Sequence, residues 1–254
     1  AGLRIAIKPL RDLEFGVSRT SQTCGKGRPC GWLNWRNLLT GNSNVGIGGL
    51  TRNTDPGNDM AGFDMRWVSP LFNWPYAVYG QLIGEDYIRG LPSKDLAQLG
   101  AETWRQFDDG ALLRANVEYA NTSCAFSRSP PLYGCAYIQG LYNKEGYRYR
   151  GRILGAGWEA DAEVVSMTIS MTTANGDFWS VNVHHGQLNR GDIFNPFNIV
   201  APNKRSLDGF SAEYRLTRAF GTVSVGLGSD QFRAAADQST ERQTRLFATW
   251  QHPF

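Results

Sequence analysis

The sequence predicts an all-β protein, an antiparallel transmembrane outer-membrane β-barrel with long external loops. Segments in which apolar and polar residues alternate recur along the 254 residues, whereas helical periodicity is scarce. Short and long connections alternate between these segments, as in outer-membrane barrels with short periplasmic turns and long external loops. The chain ends on Phe254, and an aromatic residue closing an alternating strand resembles the assembly signal of such barrels.

Eleven segments alternate and are predicted to be strands. In one of them Phe63, Met65 and Trp67 lie on one face and Asp64 and Arg66 on the other. The predicted strands are 3–8, 12–19, 60–69, 76–87, 95–107, 112–122, 163–173, 178–188, 209–220, 222–231 and 242–254. Single-chain bacterial barrels have an even number of strands. We therefore expect residues 1–254 to form a single barrel domain that is incomplete at its N-terminus.

The lengths of the connections predict how the barrel is oriented in the membrane. The short connections lie at 9–11, 70–75, 108–111, 174–177 and 220–221. The connections predicted to be long lie at 20–59, 88–94, 123–162, 189–208 and 232–241. If the last strand runs towards the periplasm, every long loop faces the cell exterior.

Composition narrows the function classes. The net charge of +3 is too balanced to indicate nucleic-acid binding, although the basic residues are 21 Arg and only 5 Lys. The longest uncharged run, Trp67–Gly84, contains Pro70 and Pro75 and therefore does not form a membrane-spanning helix. The mean hydropathy of −0.37 still permits a membrane barrel, because the lumen side of each strand is polar.

The four cysteines fall in two of the predicted external loops. Cys24 and Cys30 enclose five residues, and Cys124 and Cys135 enclose ten. In an oxidising compartment these spacings favour two disulfides within the loops. A zinc site is the alternative, but the three histidines are distant in sequence.

Five sequence blocks resemble the capsule assembly protein Wzi family of Gram-negative outer-membrane barrels. They are GFDMRWVSP (Gly62–Pro70), YAVYGQLIGEDY (Tyr76–Tyr87), LPSKDLAQLGAETW (Leu91–Trp104), LRANVEYANTSC (Leu113–Cys124) and GYRYRGRILG (Gly146–Gly155). The resemblance implies that the chain is the C-terminal part of a larger barrel of about eighteen strands. It also implies a surface lectin that tethers capsular or exopolysaccharide and assists capsule assembly. Tyr87 departs from the family, which has Glu at this position.

Polysaccharide binding requires flat aromatic groups that stack on sugar faces and planar polar groups that bind their edges. Arginine suits acidic polymers because its guanidinium forms two parallel hydrogen bonds with a carboxylate. Two predicted loops contain such residues: Trp32, Trp35, Arg36, Tyr137, Tyr142, Tyr147, Arg148, Tyr149, Arg150, Arg152 and Trp158. Strand-like alternation would place Tyr147 and Tyr149 opposite the three arginines. Alternatively, those arginines pair with lumen carboxylates or meet lipopolysaccharide phosphates.

Charged residues within the strands define a lumen face, because charges facing lipid would be costly. The predicted lumen residues are Asp64, Arg66, Glu85, Asp86, Arg114, Glu118, Glu213 and Arg215. Glu85 and Asp86 do not suit a glycosidase pair, since adjacent strand residues point to opposite faces. For the same reason His184 and His185 point to opposite faces and do not suit a metal-binding pair. We expect no catalytic residue, metal or cofactor.

The expected partners are the polysaccharide, outer-membrane lipid with lipopolysaccharide, and the barrel assembly machinery, which would recognise Phe254. We expect a monomer in the outer membrane that binds no nucleic acid. The main alternative is a porin for small polar or anionic solutes, with the charged lumen residues as a selectivity lining. An outer-membrane hydrolase and a soluble all-β lectin are further alternatives. A hydrolase would require a convergent set of catalytic residues. A soluble lectin would be extracted into aqueous buffer without detergent.

Overall fold

A computed structural model describes residues 2–22, 24, 30–40, 58–69, 74–88, 91–138 and 146–252. Eleven strands form one antiparallel sheet in chain order, which confirms the predicted fold class. These strands are β1 (Gly2–Leu10), β2 (Leu13–Gln22), β3 (Asn58–Val68), β4 (Tyr76–Ile88), β5 (Leu91–Gln106), β6 (Leu112–Asn121), β9 (Glu163–Thr172), β10 (Phe178–Leu188), β11 (Arg205–Arg218), β12 (Gly221–Ala234) and β13 (Thr240–Gln251). Two short strands, β7 (Arg148–Tyr149) and β8 (Arg152–Ile153), form a separate hairpin. Within the described residues, β1 and β13 are the two edges of the sheet.

Two connections that were predicted to be long are short. β4 continues to Ile88 and β5 begins at Leu91, and these two residues pair across the hairpin. β12 ends at Ala234 and β13 begins at Thr240. In both places the ladder extends through polar or proline-containing sequence that resembles a loop, because the pairing between strands outweighs local propensity. Residues 23–57, 122–162 and 189–204 remain as long connections.

Helix α1 (Trp32–Thr40) lies in a connection for which no helix was predicted. Gly31 O accepts hydrogen bonds from the amides of Asn34 and Trp35 and so begins the first turn. The helix exposes Trp32 and Leu39 and buries Asn34 and Asn37. Among the described residues, no helix has the length and apolarity needed to cross a membrane.

The two faces of the sheet differ in chemistry. The face that carries Asp64, Arg66, Glu118 and Glu213, here called the polar face, contains most of the ion pairs between strands. The opposite, apolar face exposes many large hydrophobic side chains: Phe63, Met65, Leu82, Leu99, Val117, Val165, Met167, Val181, Val183 and Phe210. Such a continuous exposed apolar face is typical of strands that meet lipid.

The buried core lies at the end of the sheet from which the long loops leave. Met60 and Leu96 lie at polar-face positions there, and they pack with Tyr137 and Tyr147 of the loop 122–162. In a second cluster, the strand residues Val164, Leu188, Leu207 and Phe232 pack with Ala201 of the loop 189–204. Both loops therefore fold onto the polar face.

Candidate functional site

The loop 122–162 is fastened at its two ends by one threonine. Thr122 Oγ1 donates to the carbonyl of Glu159 at 2.6 Å and accepts from the amide of Ala162 at 2.8 Å. Disulfides join Cys124 to Cys135 within this loop and Cys24 to Cys30 in the preceding long connection. Both predicted disulfides are thereby confirmed.

Arg148, a predicted ligand contact, lies inside the loop. Its guanidinium pairs with the carboxylate of Glu159, and both side chains are 2% exposed. Burial raises the pKa of Glu159, and the positive charge of Arg148 opposes that rise. The sequence left open whether this arginine binds ligand or holds the loop. The structure shows an arginine with a loop carboxylate as its partner, so we treat Arg148 as a support of the site.

Tyr137 and Tyr147 are also interior residues, each 4% exposed. Their rings stack with centroids 6.4 Å apart. Tyr147 Oη donates to Thr20 Oγ1 at 2.7 Å, and Gln22 Nε2 donates to the carbonyl of Arg148 at 2.5 Å. Burial raises the pKa of Tyr147 and raises that of Tyr137 to about 12. These contacts tie the loop to β2, more than 120 residues earlier in the chain.

A cavity of about 400 Å³ remains between the docked loop and the polar face. Strand residues Ser18, Gln81 and Gln98 line one side, and Tyr137 and Leu154 line the other. The loop thus covers this part of the polar face without filling it.

The tip of the β7–β8 hairpin is the exposed part of the predicted binding motif. Arg150 and Gly151 have φ values of 52° and 75°, so the chain reverses there. The expectation of a continuous alternating strand was therefore wrong, and Tyr147 and Tyr149 do not share an exposed face. Tyr149 is 62% exposed, and the Arg150 guanidinium lies 5.3 Å from its ring centroid. Arg152 is also exposed.

Three of the predicted lumen residues, Asp64, Arg66 and Glu118, bind other side chains on the polar face. Arg4 Nη2 donates to Asp64 at 2.6 Å, and Arg66 pairs with Glu102. Glu118 accepts from Tyr79 Oη at 2.7 Å. These groups line a second cavity of about 410 Å³.

The remaining predicted lumen residues are more dispersed. Glu213 pairs with Arg215 at 2.8 Å, and Arg114 is exposed. Glu85 is half-buried beside Cys124, with its carboxylate oxygen 3.5 Å from the sulfur. The side chain of Asp86 lies outside the described residues.

Three of the predicted polysaccharide-binding residues lie on α1 and are exposed, namely Trp32, Trp35 and Arg36. Tyr142 lies outside the described residues. Trp158 is half-buried, and its ring centroid is 5.2 Å from that of His184.

Sequence reasoning missed a groove beside Trp158. Arg205, Glu241, Gln243 and Arg245 line it, and its volume is about 410 Å³. One signal could have found it: Glu241, Gln243 and Arg245 occupy alternate positions of β13 and therefore share one face.

One grouping among the described residues has the donors for a metal ion, namely Glu85, Cys124 and Cys135. The two sulfur atoms are bonded to each other in the disulfide. They are therefore not available as thiolate ligands, and this grouping does not suit zinc.

The chain matches the sequence profile of one protein family and is similar to a protein of Klebsiella pneumoniae. The sequence profile of a family described as capsule assembly protein Wzi matches residues 1–249. An uncharacterized 55.8 kDa protein in the cps region of Klebsiella pneumoniae is 30% identical over 209 residues, which are 82% of this chain and 39% of that protein.

A solved structure is also similar. It is Wzi of Escherichia coli, described as an outer membrane protein involved in group 1 capsule assembly and as a carbohydrate-binding β-barrel. The match has a TM-score of 0.68 and 25% identity, and covers 98% of this chain and 48% of that one. The chain thus spans less than half the length of these two relatives.

Proposed function

The chain belongs to the Wzi family of capsule assembly proteins, as the sequence blocks predicted, and on that premise we propose that it is a non-catalytic surface lectin. It tethers capsular or related exopolysaccharide to the outer membrane and assists capsule assembly. The carbohydrate binding and outer-membrane location described for the solved relative support both parts of the proposal. The exposed apolar face supports contact with outer-membrane lipid.

The observation that carries this proposal is the exposed hairpin tip. Tyr149 offers a flat apolar ring, while Arg150 and Arg152 offer guanidinium groups beside it. The segment 146–153 contains no acidic residue, so these positive charges have no carboxylate next to them in sequence. A tyrosine ring can stack on a sugar face, and guanidinium groups can bind the carboxylates of an acidic polymer.

The base of the hairpin holds this tip in place before any ligand arrives. Arg148 pairs with Glu159, and Tyr147 packs on Tyr137 and bonds to Thr20. A tip that is ordered in advance loses less conformational entropy on binding, which favours affinity.

The test is binding of the full-length, detergent-purified protein to the native capsular polysaccharide of its source strain. The Arg150→Ala/Arg152→Ala variant should lose most of the binding, and Tyr149→Ala should weaken it. Arg128→Ala is the matched control, because it removes an exposed arginine of the same loop, inside the disulfide ring. If the wild-type protein does not bind, the tethering proposal is wrong. Equal losses in the Arg128→Ala control would point to a general charge effect.

A porin remains the second candidate because the polar face carries a charged cavity lined by Arg4, Asp64, Arg66, Glu102 and Glu118. Such a lining could select small polar or anionic solutes. The two long loops that pack onto the same face oppose this function.

A further inference from the structure

We infer that the groove beside Trp158 is a second sugar subsite, which takes an uncharged pyranose residue of the polymer through its hydroxyl groups. This inference rests on the proposed function, since the groove and the hairpin tip would contact one polysaccharide. The groove's volume of about 410 Å³ lies within the roughly 300–1,000 Å³ that is usual for small-ligand pockets.

The walls of the groove combine apolar and polar groups in the way a sugar ring requires. Trp158 and Ile199 contribute apolar surface from the two long loops. Arg205, Glu241 and Arg245 contribute planar charged groups from β11 and β13. A pyranose presents apolar C–H groups on its faces and hydroxyls around its edge, so it matches both kinds of wall.

The charges of the groove balance each other. Arg245 Nη2 lies 2.7 Å from Asp230, and Arg205 Nη1 lies 3.4 Å from Glu241. Each guanidinium has five N–H donors and each carboxylate several acceptor sites, so both pairs retain hydrogen-bonding capacity. A hydroxyl both donates and accepts, and therefore suits a neutral lining of adjacent donors and acceptors. A carboxylate of the polymer would instead be repelled by Asp230 and Glu241 as well as attracted by the arginines.

The polar groups are held in position by contacts behind them. Asp230 is nearly buried and bonds to His184 Nε2 at 2.9 Å as well as to Arg245. The guanidinium of Arg205 lies 5.2 Å from the ring centroid of Phe232. Gln243 Nε2 donates to Glu241 at 2.8 Å. These contacts reduce the side-chain entropy that is lost when a sugar binds.

The loop that carries Ile199 is equally well fixed. Asn189 is 3% exposed, and its Nδ2 lies within 3.2 Å of the carbonyls of Ile193, Ala201 and Pro202. The amide of Lys204 donates to Asp192 at 3.1 Å. Hydrogen bonds therefore hold both sides of the groove, which favours binding of sugars that match its shape.

The experiment compares native polysaccharide with the same polymer after chemical reduction of its carboxyl groups to alcohols. The groove variant is Glu241→Ala/Gln243→Ala, which removes two side chains that bond to each other. The control is Arg242→Ala, on the opposite face of β13. All are measured in the full-length protein, at low and high salt.

We expect wild-type protein to bind the reduced polymer with little dependence on salt, because contacts to hydroxyls are screened less than ion pairs between exposed charges. The groove variant should bind it about tenfold more weakly, as expected for the loss of one or two hydrogen bonds. The Arg242→Ala and Arg150→Ala/Arg152→Ala variants should bind it as wild type does. Retained, salt-sensitive binding of native polymer would show that the groove variant is folded.

Two results would overturn the subsite: no wild-type binding of the reduced polymer, or unchanged binding by the groove variant. In either case, binding of native polymer through the hairpin would leave the proposed function standing. Conversely, if the groove variant loses the reduced polymer while the hairpin variant retains native binding, the subsite stands and the hairpin assignment fails.

Discussion

Arg148 and Glu159 form an ion pair in which each side chain is only 2% exposed. Glu159 lies three residues before the end of the loop 122–162, and Arg148 lies at the base of the hairpin whose tip exposes Tyr149. The pair therefore fixes the hairpin to the root of its own loop. In one short motif, neighbouring arginines thus have different roles, since Arg148 is buried and Arg150 is exposed.

Replacing Arg148 with alanine should destabilise the docked loop. The change would leave the Glu159 carboxylate buried without its cation, which typically costs about 3–5 kcal/mol. Limited proteolysis of the folded protein should then cut the loop much faster. Arg150→Ala, which removes an exposed arginine two residues away, should leave the cleavage rate unchanged. Equal rates for wild type and Arg148→Ala would show that the pair does not hold the loop.

The link from the loop to β2 should be measurable on its own. Tyr147→Phe removes only the hydroxyl that donates to Thr20 Oγ1 at 2.7 Å. We expect a cost of about 1 kcal/mol, the usual net value of a hydrogen bond. Thr20→Val should cost a similar amount, and combining the two should add little further cost because they share one interaction. Additive losses in hydrogen exchange of the loop amides would contradict this coupling.

Much of the fold could be predicted because its strands alternate in chemistry. All eleven strands of the sheet coincide with predicted segments, and the Cys124–Cys135 and Cys24–Cys30 pairs follow from sequence spacing. The short connection between Ile88 and Leu91 could not be predicted, because the local composition favours a loop whereas the pairing between the strands determines the structure.

Much of the site could not be predicted, because contacts between residues that are distant in sequence hold it in place. Alternation suggested that Tyr147 and Tyr149 face the same way, but the hairpin turns at Arg150 and buries Tyr147. A signal was present on the strands. Met60 and Leu96 are apolar residues at polar-face positions, and they mark the place where the loop docks.

Lowering the pH should strengthen the docking of the loop 122–162 onto the sheet, because Asp161 then becomes protonated. This carboxyl group is 1% exposed, accepts from the Gly134 amide at 2.8 Å, and its Oδ1 has no hydrogen-bond partner among the described residues. Burial raises its pKa to about 6, although the Gly134 amide and Arg190 oppose the rise. The charged form is thus penalised in the docked loop. Docking should be weakest above pH 6 and gain roughly 3 kcal/mol as the pH falls towards 4, since one pKa unit corresponds to about 1.4 kcal/mol.

Asp161→Asn isolates this effect. An amide oxygen can still accept from Gly134, and asparagine tolerates the positive φ of 57° at this position. The variant should dock more firmly than wild type at pH 7.5 and should match it near pH 4. The pKa of Glu159 is also raised by burial, so some pH dependence should persist in the variant. Identical proteolysis profiles for both proteins between pH 4 and 7.5 would exclude a role for Asp161.

The Cys124–Cys135 disulfide should stabilise the loop more than the protein as a whole. It closes a ring with a sequence separation of 11, for which the chain-entropy estimate is about 2–3 kcal/mol. The Cys124→Ala/Cys135→Ala variant should therefore show faster loop proteolysis with little change in the thermal unfolding of the sheet. Cys24→Ala/Cys30→Ala serves as the matched control, since it removes a disulfide from a different connection. A similar effect of both pairs on the loop 122–162 would mean that neither acts locally.

The docked loops should also prevent ion flow. The loops 122–162 and 189–204 both pack onto the polar face at the end where they leave the sheet, through Tyr147 and Ala201 among others. The full-length protein in planar bilayers should therefore conduct poorly. Arg148→Ala, which releases the hairpin base, should produce intermittent openings, whereas Arg150→Ala should not. Steady wild-type conductance, with a selectivity that shifts when Arg66 or Glu118 is neutralised, would instead favour a porin. The same recordings with added native polysaccharide would then distinguish a blocked channel from a lectin that is closed from the start.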